Sequence, residues 1–286
     1  MYRRHFLATA AGLPVLLGQP PQDQVEWLCP MDKDVRSAKP GVCPRCGMKL
    51  VPGIPEPVEY RLLLDITPSA WKPGQPVRMR FEIRDPHTNQ RVTKLQVIHE
   101  KLFHLFIVSG DLTFFAHEHP EPQPDGTLLF ETVLPKAGFY RILGDFYPEG
   151  GTPQLAVLSI LSAGSGQISF ATPRLAAQTS PQSATNLKVA LRTEPAAPIA
   201  GLKTMLFFEL EPGNGLEPYL GAWGHMLVAS ADLIDLIHTH PFLASGGPNL
   251  QFNVVFPRPG MHRLWVQFQR LGVVNTAVFT VPVRGL

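Results

Sequence analysis

Charge is scarce in this chain of 286 residues. Lys and Arg number 25, Asp and Glu 23, which is 17% of the residues, and the formal net charge is +2. Removing an N-terminal segment of about 20 residues, read below as an export signal, takes away Arg3 and Arg4 and no acid, leaving base and acid balanced. Such a chain has no electrostatic footprint for nucleic acid or anionic lipid. After the N-terminus there is no uninterrupted apolar run of eighteen residues, so no membrane span is expected once the signal is removed. There is no phosphate-binding glycine loop, no G-x-S-x-G and no H-E-x-x-H. The expectation is a binding protein, not an enzyme. A mononuclear copper redox site on three histidines, hence a copper oxidoreductase, stays as a minor alternative. Cysteine is rarest of all, with three residues.

What is present points to β structure. Hydrophobic residues make up 44% of the chain, and 30 prolines and 24 glycines break it into short runs. The first segment, residues 1–22, reads as an export signal: a basic start, an apolar run from Phe6 to Leu17, then Gly and Pro. Arg3-Arg4-His5-Phe6-Leu7 looks like a twin-arginine signal, with an ordinary secretory signal as the alternative. Either places the mature protein in the periplasm or outside the cell. Export after folding would let thiols take up metal in a reducing compartment.

All three cysteines lie in one stretch, expected as a small domain over residues 25–53. Cys43-Pro-Arg-Cys46-Gly-Met48 is a knuckle in which two thiolates can grip one ion, and Cys29 brings a third. Soft sulfur suits zinc or Cu(I). A closed zinc site needs a fourth ligand, from Asp32, Met31, Met48, a distant His or water. A purely structural zinc ribbon, or a disulfide with one free thiol, are the other readings.

Cys29-Pro30-Met31, Pro40-Gly41 and Cys43-Pro44-x-Cys46-Gly47-Met48-x-Leu50 resemble the heavy-metal-binding domain near the N-termini of copper- and silver-transporting P-type ATPases and of periplasmic adaptors of copper/silver efflux pumps. The resemblance covers about a tenth of the chain and implies copper or zinc as the bound ion and an envelope metal-efflux component as a partner. Asp32-Lys33 stands where that family has His-Pro, which removes an imidazole from the ligand set.

The rest is a repeat. Seven strand-like runs separated by turn residues fill residues 59–161, and seven more fill 187–286; residues 162–186, poor in periodicity, are expected as a linker. This predicts a mainly β protein: the Cys-knuckle domain followed by two tandem immunoglobulin-like β-sandwiches. His104, His117 and His119 in the first copy align with His225, His238 and His240 in the second, each set continuing into Pro120 or Pro241. The halves resemble repeats of uncharacterised bacterial secreted proteins with a D-L-x-x-F-x-H-x-H-P pattern. A two-residue turn at Gly110-Asp111 would set His104 directly opposite His117, and the equivalent turn His225 opposite His238, with three imidazoles converging inside each domain. Such sets suit Zn(II) or Cu(II); equally, they can clamp loops as a duplicated structural corner. His99 could add a ligand in the first domain only. His262, at the position of the corner aromatic Tyr140, reads as structural. His5 in the signal and His87 in a turn are not candidates.

The sequence thus predicts an extracytoplasmic protein that captures or carries copper or another heavy metal in homeostasis or resistance. The alternative is an envelope interaction protein with a structural zinc and two partner-binding sandwiches.

Overall fold

The computed structural model describes residues 26–32, 35–53, 58–162, 172–243 and 245–286. The predicted export signal lies outside them. No helix occurs among the described residues, so none is long and apolar enough to cross a membrane.

The Cys domain is a small sheet of three two-residue strands, β1 (Trp27–Leu28), β2 (Arg36–Ser37) and β3 (Val51–Pro52), in the order β2-β1-β3. Its core is little more than the buried Cys29, Cys43 and Leu50 with Trp27, Met31, Val35 and Cys46 packed around them. A unit this small cannot bury enough apolar surface to hold itself together.

The first sandwich pairs two sheets. β4 (Arg61–Thr67), β5 (Pro76–Arg84), β8 (Glu121–Pro122) and β9 (Leu128–Val133) form one, ordered β4-β5-β9-β8. β6 (Phe103–Ser109), β7 (Phe115–Glu118), β10 (Phe139–Phe146) and β11 (Gln154–Leu161) form the other, ordered β11-β10-β6-β7. On β5 the buried Val77, Met79, Phe81 and Ile83 alternate with more exposed residues, so one face lies in the core and one in solvent.

The second sandwich repeats the plan. β12 (Gln182–Ser183), β13 (Lys188–Glu194), β14 (Lys203–Glu211) and β18 (Asn249–Val255) form one sheet in the order β12-β13-β14-β18. β15 (Leu216–Glu217), β16 (His225–Ser230), β17 (Leu236–Thr239) and β19 (Gly260–Arg270) form the other, ordered β15-β19-β16-β17, with β20 (Val273–Val283) also pairing β19. The expected linker is partly ordered onto this sandwich: β12 pairs β13, and Gln178 bridges Thr280. In the first sandwich Tyr140 pins the corner as expected, its hydroxyl donating to the Lys136 carbonyl at 2.9 Å and accepting from the Lys136 amide at 3.0 Å.

β6 and β16 break the alternating rule: every residue of both is buried. Leu105 and Ile107 fill the first sandwich's core, and Met226 and Val228 the second's. The opposite faces, Phe106 and Val108 on β6 and Leu227 and Ala229 on β16, join Leu112, Leu143, Leu233 and Trp265 in a third core between the sandwiches. Phe115 stacks on Trp265 across it, ring centroids 5.1 Å apart. Burying side chains of this size stabilises by roughly 1.5–3 kcal/mol each, so the two repeats are held face to face.

Candidate metal centres

The Cys domain positions its thiols with two tight turns. The Cys29 amide donates to the Val35 carbonyl at 3.0 Å and the Val35 amide to the Asp32 carbonyl at 2.7 Å. In the knuckle, the Cys43 amide donates to the Met48 carbonyl at 2.7 Å and the Gly47 amide to the Cys43 carbonyl at 3.0 Å. Gly47 has φ +75°, a conformation that disfavours any side chain there.

One donor atom each from Cys29, Asp32, Cys43 and Cys46 lies within 4.8 Å of the other three. Cys29 Sγ is 3.4 Å from Cys46 Sγ, and Cys43 Sγ is 3.2 Å from Asp32 Oδ2. A tetrahedral ion with metal–sulfur bonds of about 2.3 Å has ligand edges of about 3.8 Å, so these spacings fit one ion after a small expansion. They do not fit a disulfide, whose sulfurs lie about 2.05 Å apart; all three cysteines are free. Asp32 thus places a carboxylate oxygen beside the three sulfurs. Arg45 Nη1 lies 3.4 Å from its other oxygen, which orients the carboxylate. The hydrogen bond from Cys46 draws the Cys29 thiol down to about 6, and the same bond together with burial pushes Cys46 up. Burial raises Cys43. Without an ion, Cys29 is the first thiolate to form. Met48 is buried, and its carbonyl closes the knuckle. Met31 points elsewhere: its Sδ is 2.8 Å from His240 Nδ1, on the second sandwich.

The histidines lie at the edge of the core between the sandwiches, and the expected register needs correction. The turn between β6 and β7 encloses four residues, Gly110–Thr113, closed by the Ser109 amide to the Phe114 carbonyl at 3.1 Å, with Leu112 at φ +58°. The second copy does the same, from the Ser230 amide to the Asp235 carbonyl at 2.9 Å, with Leu233 at φ +55°. A four-residue loop in place of two moves each partner by two residues. Phe106 therefore faces His117, and Leu227 faces His238; just past the ladders' ends the rings of His104 and His119 meet, as do those of His225 and His240. An even slip keeps every side chain on its face, so the histidines still converge.

They converge on one another's domains. His104, His117 and His119 offer ring nitrogens within 4.8 Å of one another, as expected for the first copy. In the second copy the rings of His225, His238 and His240 lie 4.4–5.8 Å apart, centroid to centroid, but the close donor group joins His225 and His240 with His99, from the first repeat. His238 is drawn aside, its Nδ1 2.5 Å from Asp145 Oδ2 of the first repeat. Reciprocally, His117 Nδ1 is 2.7 Å from Oε1 of Gln267, of the second repeat. Asp145 pairs with His104 and Gln267 with His225 on equivalent strands. The two repeats thus exchange side chains about a pseudo-twofold axis.

A tight hairpin under each set fixes one ring. Ile98 and Lys101 exchange both backbone hydrogen bonds, as do Tyr219 and Ala222. Their central residues, His99 and Glu100, and Leu220 and Gly221, all have positive φ, the geometry of a type I′ turn. The Ile98 carbonyl accepts from His104 Nε2 at 3.0 Å, and the Tyr219 carbonyl from His225 Nε2 at 2.8 Å. Burial holds the imidazoles neutral: it lowers His104 to about 4 and His99 and His119 to about 3. His117, His225 and His240 are pushed well below the ordinary value for the same reason. His262 is buried outside the cluster, its Nδ1 3.4 Å from the Gly260 carbonyl.

Sequence reasoning missed Asp145 and Gln267 and gave His99 to the wrong set. One signal was available: FHLFIVS and HMLVAS carry almost no polar alternation, the mark of strands covered on both faces.

Residues 54–159 and 182–285 both match the family described as "Domain of unknown function (DUF8832)". The chain belongs to this family. Residues 27–52 match the heavy metal binding domain, which agrees with the resemblance seen in the cysteine stretch. The protein therefore carries a heavy-metal-binding domain ahead of two repeated β-sandwiches. No curated protein matches the chain. Among solved structures, the Yersinia pseudotuberculosis adhesin InvE aligns at 13% identity over 77% of this chain and 58% of its own, with a TM-score of 0.24. Red sea bream transglutaminase aligns at 12% identity over 78% of this chain and 31% of its own, TM-score 0.23. The fibronectin(III)-like modules of Clostridium thermocellum CbhA align at 9% identity over 79% of this chain and 95% of their own, TM-score 0.21. The chain spans well under two thirds of the first two, and similarity at this level carries no argument about function.

Proposed function

We propose that this is an extracytoplasmic binding protein, not an enzyme, that captures copper or another heavy metal through its Cys domain in metal homeostasis or resistance. The observation that carries the reading is the four-donor cluster of Cys29, Asp32, Cys43 and Cys46 inside the stretch that matches the heavy metal binding domain. Three sulfurs suit Cu(I); the Asp32 oxygen completes a four-coordinate set that suits Zn(II). The domain docks on both sandwiches: Tyr147 donates its hydroxyl proton to the Pro52 carbonyl at 2.9 Å, and Met31 meets His240. Met31 thereby offers a captured ion a soft donor on the way out, toward the sandwiches or a metal-efflux partner in the envelope. Export through the N-terminal segment belongs to the same proposal.

The carboxylate also favours a second reading, a closed structural zinc site in an envelope interaction protein. Elemental analysis with X-ray absorption of native protein purified under reducing conditions separates the two, because it tells sulfur-bound metal from metal on nitrogen. One sulfur-bound copper per chain supports capture. One sulfur-bound zinc, removable only with loss of the Cys domain's fold, supports the structural role. If the reduced protein takes up no more of either ion than its triple Cys→Ser variant in competition with a chromophoric chelator, both readings fail.

A further inference from the structure

We propose that the facing repeats hold two late first-row divalent metal ions, Zn(II) or Cu(II), one on His104, His117 and His119 and one on His99, His225 and His240. The proposal does not rest on the thiol site.

The hydrogen bonds around the rings fix where the lone pairs point. A backbone carbonyl can only accept, so His104 Nε2, 3.0 Å from the Ile98 carbonyl, carries the proton, and in the neutral ring Nδ1 is bare. With the Gln267 amide nitrogen on Thr276 Oγ1 at 3.1 Å, Oε1 accepts from His117 Nδ1 at 2.7 Å; the Thr276 hydroxyl can donate as well as accept, so the turned amide would instead put the His117 proton on Nε2. In the first arrangement His117 Nε2 is bare too. These two bare nitrogens face each other at 3.1 Å, and His119 Nε2 lies 3.2 Å from the same His104 atom. In the other set His225 gives its Nε2 proton to the Tyr219 carbonyl, and its bare Nδ1 faces His240 Nε2 at 2.8 Å.

Ordinary hydrogen bonding accounts for only part of this. His119 can donate to His104, and His240 to His225. Two buried ring nitrogens have no hydrogen-bond partner among the described residues whichever way the Gln267 amide is turned, His99 Nε2 and His238 Nε2. A cation on His99, His225 and His240 serves the first, and a cation on the other set serves the facing nitrogens of His104 and His117; His238 Nε2 lies beside both sets and belongs to neither. In the first set, separations of 3.1 and 3.2 Å match the ligand edges of about 3.3 Å around an ion with metal–nitrogen bonds of about 2.0–2.1 Å; in the second, the 2.8 Å between His225 and His240 opens by about 0.5 Å to take one. Outer hydrogen bonds from imidazole to carbonyl oxygen are the usual support of metal-binding histidines. Donor sets made only of imidazole select zinc and copper over calcium and magnesium.

His99 adds a separate observation. It occupies the first central position of the Ile98–Lys101 turn at φ +47°, where a side chain is strained. Its counterpart in the other repeat is Leu220, at φ +50°. The strain therefore comes with a histidine in one repeat only, the one whose turn reaches the set that His238 has left.

The test uses the full chain with Cys29, Cys43 and Cys46 all replaced by Ser, stripped with chelator, reloaded with Zn(II) or Cu(II) and desalted. Two metal equivalents per chain are expected. Adding His99→Leu should leave one, and adding His117→Gln should leave the other. Leu220 shows that leucine is accepted at the equivalent turn position, and a far-ultraviolet circular dichroism melt of each metal-free variant checks the fold. In the Cu(II)-loaded chain, electron paramagnetic resonance should show nitrogen hyperfine coupling. Zero or one equivalent in the folded triple-Ser chain, or two equivalents still held by folded His99→Leu, would overturn the proposal. A purely structural histidine cluster predicts altered melting with no change in metal content.

Discussion

The thiol cluster and the histidine cluster are built by opposite routes. Cys29, Asp32, Cys43 and Cys46 come from one short stretch, brought together by two turns over a core of a few residues. The histidines come from both repeats and meet only because two sandwiches bury their apolar faces against each other. The thiol cluster is local and its domain has only a few core residues of its own; the histidine cluster is long-range and depends on a packed interface. Damage to one should therefore leave the other standing.

The largest effect expected is at the thiol site. Cys46→Ser removes one of four donors and should weaken metal binding there by more than about 100-fold, with no change in metal held by the histidines. Isothermal titration of wild type and variant measures both. Equal loss at the two sites would end the separation drawn here.

Trp265→Ala attacks the other side. It removes a buried ring from the core between the repeats, stacked on Phe115, and should destabilise by about 3–5 kcal/mol. Urea denaturation gives the loss, and chelator competition should find the thiol site unchanged.

Acid should divide the two sites by degree. Cys43 and Cys46 are raised above an ordinary thiol, so protons compete with metal there already near neutral pH. His104, His99 and His119 are held at about 4, 3 and 3, so protons compete with metal on these only in strong acid. Between pH 8 and 6 the thiol affinity should fall by about tenfold per pH unit for each proton displaced, while histidine-bound metal stays. Competition titrations at several pH values check this, and parallel losses would refute it.

Smaller effects test the joints. Asp145→Asn keeps a partner for His238 and removes its charge, and should cost about 1 kcal/mol in a thermal or urea melt. Met31→Leu should leave the stoichiometry of both sites intact and slow the passage of a preloaded ion from thiols to histidines, read by stopped-flow competition.

Much of this is legible in the amino-acid order alone. The cysteine spacing locates the thiol pocket, because ligands this close in sequence need only local turns to meet. Period-two patterns and the duplicated histidine template imply two sandwiches and put the histidines on one face. The template does not carry the register. Gly110-Asp111 suggests a two-residue loop, whereas the chain closes its turn with Leu112 and Leu233 in the left-handed region, a conformation no leucine advertises.

The sequence by itself determined the thiol donors, the run of strand-like segments along each repeat and the face the histidines share. Only the tertiary structure decided that Asp32 lies beside the thiols, that Met31 turns to His240, and that His99 crosses to the other repeat while His238 goes to Asp145. The reason is range. Alternation and spacing record which way a side chain points along its own strand, but a partner on another domain is set by how two apolar faces pack, and no single segment carries that pattern.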